Sequence, residues 1–239
     1  MKTVLTSILL FTSSLVFGQL SKQFKTNSER DTSFWTVWHH DLCNEIGLEP
    51  LYESSHQLHF RLWMGRRILE FWESEDTIHA QVVYWAEERV PGDEPPTDRY
   101  YSGKQQLKAE LAKELYALVD SFGIASMPDQ NEIDGWQSGL DGITYMVETV
   151  EKDAFIFKTY WTPSMQDESV KEAIVFVNFV NAIEQTQDIK MLWLELEKRV
   201  PFECYGGGIL RSSCIGLTKR QRRKMKRERN NYRQHQLSK

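Results

Sequence analysis

The chain has 239 residues, 41% hydrophobic and 26% charged, with a formal net charge of −5. That balance excludes a disordered chain, a collagen-like fibre and a multi-span membrane protein, and the length allows one sizeable core. With 8 Trp, 9 Tyr and 12 Phe, the chain has ample aromatic surface for a core or a binding face.

The first eighteen residues read as an export signal. Lys2 is followed by the uncharged run Val4–Phe17, which ends at Val16-Phe17-Gly18 and leaves Gln19 as the expected new N-terminus. The run is too short for a comfortable membrane span, which needs about 20 residues. No Cys stands at the cleavage point, so no lipid anchor is expected. The mature protein is therefore expected to be periplasmic or secreted, not membrane-spanning, and in a compartment that permits disulfides. Residues 19–218 form its single domain and 219–239 a tail.

Residues 33–46 predict a helix, with Phe34, Trp35 and Trp38 packing inward. Within it, His39-His40-Asp41-x-Cys43 places His39 and Cys43 at i and i+4, on one face, as two zinc ligands or a Cys–His pair would need. No further ligands stand nearby in sequence, so no metal site is expected, and a polar helix face beside a buried Cys explains the pattern equally well.

The middle of the chain reads as strands whose register can be worked out. Residues 58–64, LHFRLWM, put Leu58, Phe60, Leu62 and Met64 on one face and His59, Arg61 and Trp63 on the other. Gly65-Arg66 suits a two-residue type II′ turn. That turn sets Leu62 against Leu69, Phe60 against Phe71, Arg61 against Glu70 and His59 against Trp72, so apolar meets apolar and cation meets anion. A second two-residue turn at Glu75-Asp76 sets Phe71 against Ala80 and Leu69 against Val82. A three-residue loop would set Phe71 against His79 and break the parity. The result is a three-stranded antiparallel meander over about 58–85.

One face of the meander, with Phe60, Leu62, Leu69, Phe71, Ala80, Val82 and Tyr84, is core. The other carries the rows His59–Trp72–His79 and Arg61–Glu70–Gln81, with Trp63 and Trp85 nearby. Antiparallel sheets commonly leave one face in water. That face is expected to be wet, and His59, Arg61, Trp63, Glu70, Trp72, His79 and Gln81 are candidate ligand-binding residues. The same rows also fit a ladder of cross-strand pairs that only stabilises the sheet, at about 0.2–1 kcal/mol each.

A Pro-rich loop, 87–101, separates the meander from a helix expected over 103–122. Ser102-x-x-Gln105 reads as its capping box, Leu107, Leu111, Leu115, Leu118 and Phe122 as its apolar stripe, and Gly123 as its stop. Asp129-x-Asn131-x-x-Asp134-Gly135 fails the calcium-loop template, with Gly at position 7 and Leu140 at position 12, and reads as a turn-rich connection. A second hairpin is expected over 143–161, turning near Lys152-Asp153 and ending at Pro163.

The residues Trp136, Gly139, Asp141, Gly142, Tyr145 and Glu148, followed by Tyr160-Trp161 and Pro163, resemble an uncharacterised family of bacterial exported proteins with a W..G.DG.tY..E … YW.P signature. The resemblance covers about 130–185. It implies export but no activity, and no catalytic residue is carried over.

Helices are expected over 168–186, with a broad apolar face (Val170, Ala173, Ile174, Phe176, Val177, Phe179, Val180, Ile183), and over 188–199, before Pro201. The fold class is thus α+β, an antiparallel sheet packed against helices. Cys204 and Cys214 are a candidate disulfide, which would leave Cys43 as the odd thiol.

Charge is unevenly placed. Residues 219–239 hold ten Lys and Arg against Glu228 alone, a net of +9, while Gln19–Thr218 holds 18 basic and 33 acidic residues, a net of −15. The tail has no apolar period and is expected to be disordered when free. Lys219, Arg220, Arg222, Arg223, Lys224, Lys226, Arg227 and Arg229 are candidate polyanion-binding residues. An anionic envelope surface or an acidic partner comes before nucleic acid for an exported chain. The alternative is a tail that folds back on its own acidic body.

No hydrolase, zinc-protease or dinucleotide fingerprint occurs, and no cofactor is expected. Two functions stay open: a non-enzymatic binding module of the envelope or extracellular space, or a hydrolase. A hydrolase would use the His59/Arg61/Glu70/His79 face or the His39–Cys43 pair.

Overall fold

The structure is a computed structural model that describes residues 23–25, 39–90, 92, 96–139, 141–151, 154–207 and 212–237. The expected export signal at 1–18, the turn at Lys152-Asp153 and the residues Phe34, Trp35 and Trp38 lie outside the described residues.

Strands β1 (Gln23–Lys25), β2 (Leu58–Met64), β3 (Arg67–Ser74), β4 (Thr77–Arg89), β5 (Tyr100–Gln106), β6 (Thr144–Glu151), β7 (Ala154–Trp161), β8 (Cys204–Gly206) and β9 (Ser213–Cys214) form one sheet. Its order is β1-β7-β6-β2-β3-β4-β8-β9, with β5 on β4, and every pairing is antiparallel except β1 with β7. The helices are α1 (residues 39–46), α2 (Ala109–Ser121), α3 (Lys171–Gln185), α4 (Gln187–Glu197) and α5 (Lys219–Leu237). The α+β class is as expected.

The meander has the register derived from its turns. His59 pairs with Trp72, Phe60 with Phe71, Arg61 with Glu70 and Leu62 with Leu69. Phe71 pairs with Ala80, Trp72 with His79 and Glu70 with Gln81. Gly65 takes the left-handed φ of +63° that the first turn requires, and Glu75 and Asp76 share positive φ values of 51° and 56°, the type I′ pattern. The second hairpin adds β6 to the free edge of β2, with Arg61 opposite Glu148. At the far edge, Thr159 N–H donates to Asp129 Oδ2 at 2.8 Å and Trp161 N–H to Gln130 Oε1 at 2.5 Å. Side chains of the 128–133 connection thus occupy strand-edge donors that would otherwise invite another strand.

Four expectations are corrected. The helix placed at 103–122 begins at Ala109, because 100–106 extends the sheet as β5 and Ser102 pairs with Trp85 instead of capping a helix. Its deepest line is Ala112, Leu115 and Val119, so of the expected stripe Leu115 is fully buried while Leu107, Leu111, Leu118 and Phe122 are partly buried beside it. On α3, Ile174 is exposed and Val177 half-buried, so the deep part of the apolar face is Ala173, Phe176, Phe179, Val180 and Ile183, with Val170 buried as expected at the helix N-cap. The tail is a helix, for reasons given below.

The largest correction concerns the outer face of the sheet. The inner face packs on α2, α3 and α4 through Phe60, Leu62, Phe71, Val82 and Tyr84, as expected. The outer face is not wet. Helix α1 and the segment to Ser54 cover it, and Leu42, Cys43, Ile46 and Leu48 form a second core with Trp63, Ile68, Val83, Trp85 and Met146. Trp63 and Arg61 are both 0% exposed. The molecule is therefore three layers: helices, sheet and an N-terminal cover.

The family-like signature has a packing explanation in this fold. A Cβ on Gly139 would come within 2.6 Å of the Trp161 ring, so any other residue there would have to displace that indole. Trp136 Nε1–H donates to the Trp161 carbonyl at 3.2 Å, and the Tyr160 ring packs at a tilt against Trp136 and Phe176.

Candidate functional site

The cover brings the two sequence-level candidates together. His39 and Cys43 on α1 come down on the row Arg61–Glu70 and on Glu148 of β6. Cys43 Sγ lies 3.7 Å from His39 Nδ1 and 3.7 Å from an Arg61 nitrogen. Arg61 donates to Glu70 through Nε at 3.1 Å and again through a terminal nitrogen, and to the Glu49 carbonyl at 2.9 Å. Its other nitrogen stands 3.6 Å from Glu148, which accepts Trp63 Nε1–H at 2.7 Å. Glu70 also accepts from His59 Nε2 at 2.9 Å and from Gln81 at 2.5 Å. A carboxylate cannot donate, so Nε2 carries the proton. Nδ1 of His59 meets Ser54 Oγ at 2.8 Å.

The electrostatics follow from burial. Burial alone would raise the Glu70 carboxyl, but the Arg61 charge and the His59 hydrogen bond outweigh it and hold the group down at about 2. Burial opposes the Arg61 charge, yet Glu70 and Glu148 outweigh it and keep the guanidinium protonated. Burial pushes the Cys43 thiol well up and lowers His39. A nucleophilic cysteine needs the opposite, a depressed thiol in contact with solvent. Ser54, His59 and Glu70 stand in the order of a catalytic triad, but Ser54 is 2% exposed and orients His59 rather than facing a substrate. The cluster welds the cover to the sheet.

This cluster makes the protein acid-sensitive, with the sign as follows. His39 is lowered in the fold from 6.5, so the unfolded chain binds its proton first and stability falls as pH drops below about 6.5. Glu70 is lowered from 4.5 to about 2, so its contribution is full above pH 4.5 and is lost as pH falls toward 2. The denaturant midpoint should therefore decline from pH 7 to 5 and more steeply below 4.5. A flat profile from pH 7 to 3 would contradict the buried charged cluster.

Part of the candidate ligand face does reach solvent. At the edge of the cover, a pocket of about 300 Å³ is lined by His56, His59, Glu70, Trp72, Gln81 and Lys104, among others. Four of the candidate residues thus line it, while Arg61 and Trp63 are sealed below. His79 is exposed and stacks on Trp72 at 5.8 Å with the planes 16° apart. His56 and Lys104 were not anticipated. Lys104 sits on β5, within the range where the sequence predicts a helix, and its ammonium donates to the Gly47 carbonyl.

The third candidate is the tail. α5 starts with a capping box that the sequence carries as Thr218-x-x-Gln221: Thr218 N–H donates to Gln221 Oε1 at 2.9 Å and Gln221 N–H to Thr218 Oγ1 at 3.3 Å. Arg, Lys, Gln and Met have high helix propensity, so no apolar period is needed once the body supplies anchors. Arg229, 5% exposed, reaches the buried Glu88 at 3.7 Å. Tyr232 O–H donates to the Asp98 carbonyl at 3.2 Å, and Arg222 pairs with Glu203 at 2.9 Å. The helix therefore folds back on its acidic body. Arg229 is an anchor, not a polyanion contact, because burial against Glu88 removes it from the surface.

The inward residues Met225, Arg229, Tyr232 and Arg233 leave the opposite side outward. There Arg220, Arg223, Lys224 and Arg227, all exposed, follow the i, i+3, i+4, i+7 spacing of one helix face. Lys219 and Lys226 are exposed beside that stripe, and Arg222 lies toward the body.

Comparison with protein-family models and with curated proteins found no match.

Behind the helix, Cys204 and Cys214 are joined as directly opposed residues of β8 and β9, and Cys43 is free and buried. The bond closes a loop with a sequence separation of 10 and stabilises the strand pair from which α5 departs by roughly 2–3 kcal/mol. No group of three or more His, Cys, Asp or Glu that could hold a metal ion occurs among the described residues. Nor is any helix among them long and apolar enough to cross a membrane.

Proposed function

We propose that the protein is an exported, non-enzymatic binding module of the cell envelope or extracellular space. It adsorbs on phosphate-bearing surfaces through the outward stripe of α5. The observation that carries this reading is the stripe: Arg220, Arg223, Lys224 and Arg227 in line on a helix whose anchors are spent on the body. The body's net charge of −15 repels anionic surfaces everywhere else, so the helix sets the orientation of docking. Among the described side chains of the helix, the apolar ones, Met225 and Tyr232, are half-buried against the protein. Adsorption is therefore electrostatic, without the insertion of an amphipathic membrane helix. The uncharged run Val4–Phe17 behind Lys2 supports export.

Replacing Arg220, Arg223, Lys224 and Arg227 together by Ala should abolish cosedimentation with phosphatidylglycerol vesicles and leave the thermal midpoint unchanged, since none of the four anchors the helix. Deleting 219–239 should abolish it too but lower stability by about 1–3 kcal/mol, because Glu88 loses Arg229. Full binding by the four-fold variant would end the proposal. Tighter binding to duplex DNA than to vesicles would move it to nucleic acid. For export, mass spectrometry of the protein from its native host should find Gln19 at the N-terminus. An intact Met1 in the soluble fraction would contradict it.

A further inference from the structure

The pocket at the edge of the cover has a chemistry of its own, independent of α5. Its charges are already balanced. At the lining, Glu70 is paired with Arg61 beneath it, and Lys104 and Glu49 at the rim are of opposite sign, while Glu148, the second carboxylate on Arg61, is buried away from the pocket, so the walls offer no surplus charge to an ionic ligand. Its hydrogen-bonding capacity, by contrast, is only partly used. His56 Nδ1 donates to the Glu73 carbonyl at 3.1 Å, which leaves Nε2 of the neutral ring as an acceptor. Gln81 uses one amide proton on Glu70 and keeps its oxygen and second proton. Lys104 uses one of three protons on Gly47. The Trp72 indole N–H has no hydrogen-bond partner among the described residues, and its ring forms one wall of the pocket.

Donors and acceptors interleaved around an aromatic wall, without net charge, match a ligand whose groups are each both donor and acceptor. Hydroxyls have that property, and the C–H face of a sugar ring packs on an indole. The volume of about 300 Å³ is at the small end of ligand pockets, enough for a mono- or disaccharide. We infer that the His56–Trp72–Gln81–Lys104 pocket binds a neutral saccharide unit.

Ligand-observed NMR titration of the full chain tests this, with glucose, N-acetylglucosamine and cellobiose as neutral probes and glucuronate and glucosamine as charged ones. Neutral sugars should bind with millimolar Kd, no weaker than their charged counterparts. Trp72→Ala and Gln81→Ala should each weaken binding by about tenfold, the loss of a hydrogen bond or a ring contact. The four-fold α5 variant should bind the sugars like the wild type, so failure of one site is separable from failure of the other. Absence of neutral-sugar binding at millimolar concentration, preference for glucuronate or glucosamine, or unchanged affinity in both folded variants would overturn the inference. If a variant does not fold, the wild-type panel decides alone.

Discussion

Arg61→Ala is expected to destabilise the protein by about 3–5 kcal/mol, read as a shift in the denaturant midpoint. The argument is the burial of two carboxylates around one guanidinium. Glu70 is 3% exposed, Glu148 1% and Arg61 0%. With the cation gone, Glu70 keeps only His59 and Gln81, and Glu148 keeps Trp63 and His39. Both acids must then take up protons or draw water into the seam between cover and sheet, and both responses loosen α1. The ion pair itself adds little net stability, since the desolvation of its members offsets much of their attraction. The double variant Arg61→Met with Glu70→Gln should therefore recover the share of the loss due to Glu70 but not that due to Glu148, a non-additivity expected of groups in one network. A cost under about 1 kcal/mol for Arg61→Ala would show that the cluster is open to water.

The second large effect compares the two faces of the sheet. Phe71→Ala should cost about 3–5 kcal/mol by leaving a cavity beneath α2, and Trp63→Ala should cost at least as much. Both side chains are 0% exposed, and Trp63 also satisfies Glu148 through its indole N–H. Trp72→Ala, at the partly exposed rim, should cost clearly less. Near-neutral behaviour of Trp63→Ala would return the outer face to solvent. Equal losses for Trp63 and Trp72 would extend the cover over the pocket.

The register of the meander was legible because two turns and one parity condition leave a single solution, which holds from His59–Trp72 through Trp72–His79. What covers the outer face was harder to read. The candidate rows His59–Trp72–His79 and Arg61–Glu70–Gln81 look solvated, but the same face continues as Trp63, Ile68, Val83, Trp85 and Met146. That apolar half required a partner layer, and Leu42, Ile46 and Leu48 supply it. The pocket lies where the polar half emerges from under that layer, so it could not be bounded before the cover was placed. Lys104 was hidden because Tyr100–Gln106, polar and exposed toward its end, resembles the first turn of the following helix. In the tail, absence of an apolar period does not mean absence of structure. The signals that mattered were a Thr-x-x-Gln cap, strong helix formers and two well-spaced anchors, Arg229 and Tyr232, whose partners Glu88 and Asp98 are more than 130 residues away.

The most direct test of the electrostatic docking account is the salt dependence of binding to a phosphate polyanion, measured for the wild type and for the four-fold α5 variant. Four cations engaging four phosphates give a slope of log K against log salt of about −3 to −4, from counterion release. The wild type should show that slope, and the variant should bind too weakly for a slope to be measured. Wild-type binding that does not change with salt, or a variant that keeps the wild-type slope, would contradict docking through Arg220, Arg223, Lys224 and Arg227.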